Sequence, residues 1–395
     1  MIPTSQPQNH KLLSVSNLRV EFATAQGVAT AINGVNLSVQ AGQSLGILGE
    51  SGSGKSVTAR TIMGLLDIPP ARVVDGEILL DGEDLLSISA KRRRQLTGPK
   101  VSMVFQDALS ALNPVHPVGR QIGELYRVHR GMSRTAAKKA AIEMMDRVKI
   151  PAAASRVNDY PHQFSGGMRQ RIVIAMALAL GPELLIADEP TTALDVTVQA
   201  QILQLLKEQQ AENNMGLILI THDISVVREV TDQVAVMYAG RIIENGPTAQ
   251  VLDEPAHPYT KGLAESIASE ELKGQLLPAI PGSPPDLLAL PAGCSFADRC
   301  RYVTEHCATT AVPPLEQIDH SATPPASTTG RSKACHSPKL NSASPPRAMN
   351  RSWCCAGSNS TIRSPARCPL GRARSSRPGR GGSAGRRRPN PGRDR

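Results

Sequence analysis

Cysteine is missing from most of this sequence. None occurs in the first 293 residues, and all seven lie beyond them. Small secreted domains that rely on disulfides are dense in cysteine throughout their fold. This distribution therefore excludes a secreted disulfide framework.

Long apolar runs are also absent. The longest candidate, Ile172 to Leu180, is flanked by Arg169 and Arg171 and is far shorter than the ~20 residues that span a bilayer. The N-terminus lacks the basic-then-apolar order of a secretory signal. We therefore expect a cytoplasmic protein without a membrane span of its own.

The body of the chain has no excess of positive charge, although the whole sequence carries +10. Residues 340–395 hold thirteen Arg, no Lys and one Asp, a net +12, which leaves −2 for the first 339 residues. A nucleic-acid-binding domain needs a basic surface to meet phosphates. We therefore expect no nucleic-acid partner for the folded body.

One glycine-rich stretch stands out, residues 49–56 (GESGSGKS), between the apolar run Leu45–Leu48 and a helix predicted over Val57–Leu66. Its spacing, G-x-x-x-x-G-K-[ST], is typical of a phosphate-binding loop, in which backbone N–H groups and a helix N-terminus meet the β-phosphate. Lys55 is expected on the β- and γ-phosphates, and Ser56 on Mg²⁺. The alternative is an ordinary glycine turn before a helix. The predicted nucleotide-binding residues are Gly49, Glu50, Ser51, Gly52, Ser53, Gly54, Lys55 and Ser56.

Polar side chains follow three further predicted strands. Gln106 comes after a buried strand and can reach Mg²⁺ or the attacking water. Asp188 is placed to hold Mg²⁺ through water, and Glu189 to orient and deprotonate the water that attacks the γ-phosphate. His222, at the tip of another strand, can contact the γ-phosphate. The alternatives are a surface glutamine, a simple acidic pair and a histidine without a special role.

Two further regions complete the expected core. Alternating residues over 12–22 and 31–39 predict an antiparallel β layer, and residues 117–158 have the apolar spacing of a helical insert. The insert ends where Ser165, Gly166 and Gly167 open another helix, a second place with exposed N–H groups at a positive helix end. This is either a simple helix cap or a contact to a nucleotide held by another subunit.

Together these motifs resemble the ATP-binding-cassette (ABC) family over roughly residues 12 to 338. In chain order, the similar motifs are Walker A (residues 49–56), the Q-loop (Gln106), the signature motif (residues 165–167), Walker B with the catalytic glutamate (Asp188 and Glu189), the D-loop (residues 193–195, ending at Asp195) and the switch histidine (His222). Phe164 and Met168 depart from the commoner Leu-Ser-Gly-Gly-Gln signature, in a form usual in the peptide and nickel importer subfamily.

The resemblance implies an α/β fold: a P-loop NTPase (RecA-like) core with an antiparallel β subdomain, a helical insert and a small cysteine-containing C-terminal extension. The domains expected are a nucleotide-binding domain over 1–260, with a helical subdomain at about 107–176, and an extension over 261–339. Glu189, His222 and Gln106 are the expected catalytic residues. Mg²⁺ is expected on Ser56, Gln106 and Asp188, and ATP of a partner subunit on Ser165, Gly166, Gly167 and Asp195.

The resemblance also implies an assembly. Two cassettes pair head to tail around ATP and act on two transmembrane permease subunits at the cytoplasmic face of the membrane. An extracytoplasmic solute-binding protein takes part indirectly. Four stretches, among them residues 110–114 and 257–260, are similar to the ATPases of peptide and nickel importers, so ATP-driven import of di- or oligopeptides is the leading hypothesis. The alternatives are nickel or another solute as cargo, a soluble cassette acting on DNA or ribosomes, and a non-functional truncated cassette.

The late cysteines are the remaining candidate site. Cys294, Cys300, Cys307 and Cys335 lie in a proline-rich region like the extension of peptide-importer ATPases, which in some members resembles an iron–sulfur ligand set. Four thiolates can hold a [4Fe–4S] cluster or zinc, although the spacing is wider than the usual C-x₂-C. A cluster, zinc and free thiols stay open as alternatives.

Residues 340–395 differ in kind from the rest, being Arg, Gly, Pro and Ser with too few aliphatic residues to build a core. The tail is either a basic arm for nucleic acid or anionic lipid or an out-of-frame product. Residues 351–367 can be back-translated into codons that, in another frame, read LVLRGVKQYYPLAR, like the first strand of a second cassette. The nucleotide sequence near codon 350 tests this hypothesis.

Overall fold

The structure is a computed structural model that describes residues 11–192, 194–266, 279–309, 315–317 and 330–331. Internal contacts divide the chain into residues 1–345 and 346–395, and all described residues belong to the first unit. Its strands are β1 (Lys11–Thr24), β2 (Gly27–Gln40), β3 (Ser44–Leu48), β4 (Ala71–Leu80), β5 (Glu83–Asp84), β6 (Val101–Val104), β7 (Leu184–Asp188), β8 (Gly216–Thr221), β9 (Gln233–Tyr238), β10 (Arg241–Pro247), β11 (Glu316–Gln317) and β12 (Gly330–Arg331).

Twelve α-helices are described, and within these ranges none is both long and apolar enough to cross a lipid bilayer. They are α1 (Lys55–Met63), α2 (Ala90–Leu96), α3 (Ala108–Ala111), α4 (Val118–Arg130), α5 (Arg134–Arg147), α6 (Ala153–Arg156), α7 (Gly166–Leu178), α8 (Val196–Asn213), α9 (Ile224–Val230), α10 (Thr248–Asp253), α11 (Pro258–Glu265) and α12 (Glu305–Thr309). Short 3₁₀ helices cover Pro161–Gln163 and Ala297–Arg299.

Two sheets form the frame. An antiparallel sheet has the order β2-β1-β4-β5, which is the predicted β layer ahead of the phosphate loop. The larger sheet has the order β11-β12-β10-β9-β3-β8-β7-β6, and its members from β9 to β6 run parallel. Every residue of β3, β7 and β8 is buried, as expected for parallel strands covered on both faces.

Three apolar clusters hold these layers together. One joins the antiparallel sheet to α1 and the larger sheet, with Ile32, Ile47 and Ile78 almost fully buried. A second joins the larger sheet to helices α4, α5 and α7 through residues such as Ile122 and Met145. Burying one such side chain contributes about 1.5–3 kcal/mol. The third cluster, around Tyr238, Tyr259 and Phe296, packs β9 against α11 and the C-terminal segment 279–309.

The first helix differs from its prediction. Val57–Leu66 was the predicted span, whereas α1 covers Lys55–Met63 and ends at Gly64, whose φ of 67° is left-handed. The prediction was wrong at both ends. At the N-terminal end, the first turn of α1 is polar because it belongs to the phosphate loop, so the apolar periodicity does not include it. At the other end, the apolar pair Leu65 and Leu66 continues the pattern beyond the glycine that ends the helix.

Candidate functional site

The predicted site residues follow four neighbouring strands of the larger sheet. In the order β3-β8-β7-β6, these strands lead into the phosphate loop, His222, Glu189 and Gln106 respectively. Because the strands are parallel, their carboxyl ends lie at one edge of the sheet. The structure therefore brings together groups that are up to 173 positions apart in the sequence, from Gly49 to His222.

Glycine is required at two points of the phosphate loop. Gly49 and Gly54 have φ values of 159° and 106°. A Cβ on Gly49 would overlap the carbonyl oxygen of Met237, and one on Gly54 would lie 2.7 Å from the carbonyl oxygen of Ala31. Only a residue without a side chain lets the backbone curl so tightly against its neighbours.

The side chain of Lys55 is hydrogen-bonded to the loop that precedes it. Its Nζ donates hydrogen bonds to the carbonyl oxygens of Gly49, at 2.7 Å, and Glu50, at 2.9 Å. Burial lowers the pKa of this lysine, and the charges of Glu189, Asp188 and Glu50 oppose that shift. The ammonium group is thus held at the sheet edge beside the carboxylates.

The loop has the properties of a phosphate site. The hydroxyl of Ser53 is buried and has no hydrogen-bond partner among the described residues. A phosphate oxygen would satisfy such a donor. Gly52 has open space where a Cβ would lie, and Ser51 beside it is exposed. The residues present therefore fit a bound triphosphate.

Ser56 and Asp188, two of the three predicted Mg²⁺ ligands, lie together, whereas the third, Gln106, is hydrogen-bonded to Glu189. Ser56 Oγ donates to Asp188 Oδ1 at 3.0 Å, and Asp188 is almost fully buried. Burial raises the pKa of Asp188, and the hydrogen bond from Ser56 opposes that shift. Hydroxyl and carboxylate oxygens are the ligands that Mg²⁺ prefers, and a bound cation would favour the ionised carboxylate.

Glu189 is the centre of the hydrogen-bond network at this edge. Its Oε2 accepts hydrogen bonds from Gln106 Nε2 and from Thr192 Oγ1, both at 3.0 Å. Its Oε1 lies 3.1 Å from Nδ1 of His222. Burial raises the pKa of Glu189, but the hydrogen bonds from His222 and Thr192 and the charges of His222 and Lys55 outweigh it, so the pKa is lowered overall. The carboxylate is held in its ionised, proton-accepting form.

The backbone of Glu189 carries strain. Its φ of 46° lies in the left-handed region, which costs a non-glycine residue of order 1–3 kcal/mol. Its N–H donates to the carbonyl oxygen of Ile220 at 2.9 Å, which anchors it to the end of β8. The strained conformation turns the carboxylate out of β7 toward Gln106 and His222.

Comparison with known proteins shows which family this chain belongs to. The profile of the family described as "ABC transporter" matches residues 32–192, and that described as "Oligopeptide/dipeptide transporter, C-terminal region" matches residues 243–307. The chain is 46% identical over 337 residues to the oligopeptide transport ATP-binding protein of Escherichia coli (strain K12), covering 85% of this chain and 96% of that protein. The chain belongs to the ABC transporter family.

Other ABC proteins agree with this assignment. The dipeptide transport ATP-binding protein of Bacillus subtilis (strain 168) is 52% identical over 290 residues, which cover 73% of this chain and 87% of that protein. A dimeric structure of the ATP-binding cassette MJ0796, in a post-hydrolysis state with ADP and Pi, matches with a TM-score of 0.54 and 28% identity, over 60% of this chain and 98% of that chain. The predicted α/β cassette fold is therefore confirmed.

The signature and D-loop residues of this ABC protein make no described hydrogen bond to the cluster around Glu189. Ser165 caps α7 by accepting a hydrogen bond from the N–H of Met168 at 3.4 Å, and Asp195 caps α8 through the N–H of Val198 at 3.0 Å. A Cβ on Gly167 would lie 2.6 Å from Val198, and one on Gly166 3.9 Å from Leu194. The two helix starts are thus neighbours, and their described hydrogen bonds do not reach the phosphate loop.

The cysteine site is not supported by the described residues. The N–H of Cys294 donates to the carbonyl oxygen of Cys307 at 2.8 Å, and Cys300 packs in the cluster around Tyr259. Within the described ranges, no three Cys, His, Asp or Glu side chains are grouped to hold a metal ion. Cys335 lies outside the described residues. The predicted four-thiolate set is therefore not assembled in the part of the chain that the structure describes.

Sequence reasoning missed three residues of the site. Thr192 binds Glu189, and its only signal was a hydroxyl three positions after the glutamate. Tyr259 OH accepts a hydrogen bond from the N–H of Glu50 at 2.9 Å, and Arg299 binds the Glu50 carboxylate. Both reach the phosphate loop from more than 200 positions away. The stretch 257–260 resembled importer ATPases, but no local pattern indicated that Tyr259 or Arg299 contacts the loop.

Proposed function

We propose that this chain is the ATP-hydrolysing subunit of an importer that moves di- or oligopeptides across the cytoplasmic membrane. The observation that carries the proposal is Glu189, an ionised carboxylate held by Gln106, Thr192 and His222 at the edge that also carries the phosphate loop. A general base needs this position and this protonation state.

The residues divide the work of hydrolysis among them. Lys55 and the N–H groups of the loop hold the β- and γ-phosphates. Ser56 and Asp188 would hold Mg²⁺, which would supply charge stabilisation at the transferred phosphoryl group. Glu189 accepts a proton from the attacking water, and His222 keeps the carboxylate ionised and aimed. Gln106 links the state of this carboxylate to the helical insert that follows it.

The position of the signature residues supports a paired mechanism. Ser165, Gly166, Gly167 and Asp195 lie at the starts of two neighbouring helices, and the hydrogen bonds described for them do not reach the chain's own phosphate loop. The N–H groups at such helix starts would suit the ATP of a second cassette. ATP then joins the two subunits, and its hydrolysis releases them. Two permease subunits at the cytoplasmic face would convert this cycle into transport, with a solute-binding protein delivering cargo from outside.

The cargo assignment rests on the C-terminal region. Residues 243–307 match the region described for oligopeptide and dipeptide transporters, and the relatives named above are dipeptide and oligopeptide transport proteins. This favours peptides over nickel, and a transporter over a soluble cassette.

The test is Glu189→Gln in the assembled transporter with its permeases and partner cassette. We expect unchanged ATP binding, a turnover lowered by about 10²- to 10⁴-fold, as for a lost general base, and loss of labelled-dipeptide uptake in vesicles. Glu183→Gln is the matched control, since this exposed glutamate pairs only with Lys100 on the surface among the contacts described. Full ATPase activity in Glu189→Gln, or wild-type vesicles that take up nickel and no peptide, would refute the proposal.

A further inference from the structure

Arg299 reaches from the C-terminal segment into the phosphate loop. Its Nη1 and Nη2 donate to the two carboxylate oxygens of Glu50 at 2.7 and 3.0 Å, a bidentate pair. The Arg299 side chain is only 6% exposed, whereas that of Glu50 is 28% exposed. Nε of the same guanidinium donates to the carbonyl oxygen of Pro281 at 2.8 Å, and Nη1 lies 3.3 Å from the hydroxyl of Tyr238. Such a fixed fork is the geometry that arginine offers and lysine does not.

Other contacts hold the same part of the loop. The N–H of Glu50 donates to Tyr259 OH, and its carbonyl oxygen accepts from Lys55 Nζ. The carbonyl oxygen of Leu287 accepts from the N–H of Thr30 at 3.0 Å, which fixes the C-terminal segment to β2. Glu50, the first variable position of the phosphate loop, is thus held by hydrogen bonds to its side chain, its N–H and its carbonyl group.

The charge of Glu50 makes this grip relevant to ATP. A carboxylate next to a triphosphate site repels the nucleotide unless a cation neutralises it. The charge of Glu50 acts at Lys55, where it is one of the influences on the lysine pKa. The hydrogen bond with Glu50 in turn raises the pKa of Arg299, and a guanidinium is charged throughout the physiological pH range in any case.

We infer that Arg299 is a positioning residue for ATP binding: it neutralises Glu50 and fixes the phosphate loop from the C-terminal extension. This deepens the proposed function and rests on it. The extension is then part of the nucleotide site, although it lies about 250 positions later in the sequence than the loop it holds.

The experiment measures mant-ATP binding and the ATP KM and kcat of the full-length chain. We expect Arg299→Ala to weaken binding and raise KM on the order of tenfold, the effect of one uncompensated charge near the phosphates, with kcat changed less than KM. The affinity and KM of Arg299→Lys should lie between those of wild type and Arg299→Ala, because lysine keeps the positive charge but cannot form the bidentate pair with Glu50. Arg301→Ala is the matched control, since Arg301 lies in the same segment but pairs with Glu265, and it should bind like wild type.

The decisive variant is Glu50→Gln combined with Arg299→Ala. If Arg299 acts through the charge of Glu50, the double variant binds mant-ATP more tightly than Arg299→Ala alone, although both have lost the same arginine. A structural role alone would leave the double variant as weak as the single one, and that result overturns the inference, as does wild-type affinity in Arg299→Ala. A wild-type chain that fails to bind mant-ATP would overturn the proposed function as well.

Discussion

Thr192 donates a hydrogen bond from Oγ1 to Oε2 of Glu189, and this contact is one of those that lower the pKa of the glutamate. A depressed pKa keeps this carboxylate, the proposed general base, ionised at lower pH. The same shift stabilises the folded state above the unfolded-state pKa, and this contribution is lost as the pH falls through the folded-state pKa. Removing the donor should therefore raise the pKa and protonate the base at a higher pH.

For this reason we predict that Thr192→Val moves the acidic limb of the kcat against pH profile to higher pH. The plateau at neutral and alkaline pH should change much less. Thr192→Ser is the control, because it keeps the hydroxyl and should retain the wild-type profile. Superimposable profiles for the valine and serine variants would show that Thr192 does not tune Glu189.

At the scale of elements, the two adjacent glycines at the start of α7 differ in the space around them. A Cβ on Gly167 would lie 2.6 Å from Cγ1 of Val198 on α8, whereas one on Gly166 would meet nothing closer than 3.9 Å. The α7 and α8 helix starts are therefore packed through Gly167, while the position of Gly166 has room for a methyl group.

We predict that Gly167→Ala destabilises the chain by about 1–3 kcal/mol, as for overpacking, and that adding Val198→Ala restores most of the loss. Gly166→Ala should unfold at the wild-type urea midpoint or slightly above it. It should nevertheless lower the ATPase activity of the paired cassettes, because under the proposed pairing the methyl group would face the nucleotide of the partner. Equal stability of the two alanine variants would contradict the packing argument.

The elements also show what the sequence could and could not reveal. Gln106, Glu189 and His222 could be placed at one edge because each directly follows a buried run, and parallel strands end together. The ends of α1 were missed because its first turn is shaped by the phosphate loop and its last by Gly64. Arg299 could not be found, since its contact with Glu50 joins segments 249 positions apart and has no periodicity.

On the scale of the whole molecule, the excess positive charge lies in one of the two units into which the chain divides. Internal contacts separate residues 1–345 from 346–395. The net charge of the whole chain is +10, and residues 340–395 alone carry +12. Since residues 340–345 have no charged side chain, the first 345 residues have a net charge of −2. A charge of this sign over the first unit opposes binding to polyanions, whatever the tail does.

We therefore predict that a chain ending at residue 345 keeps its ATP affinity and turnover within about twofold of the full chain while losing retention on heparin at low salt. The full chain should be retained and then released as salt rises, since screening weakens contacts to phosphate or sulfate groups. Full-length protein in 1 M salt is the control, because it should behave like the truncated chain. A truncated chain that still binds heparin would place a basic surface on the first unit. One that loses ATP affinity would mean that the arginine-rich segment takes part in the nucleotide site.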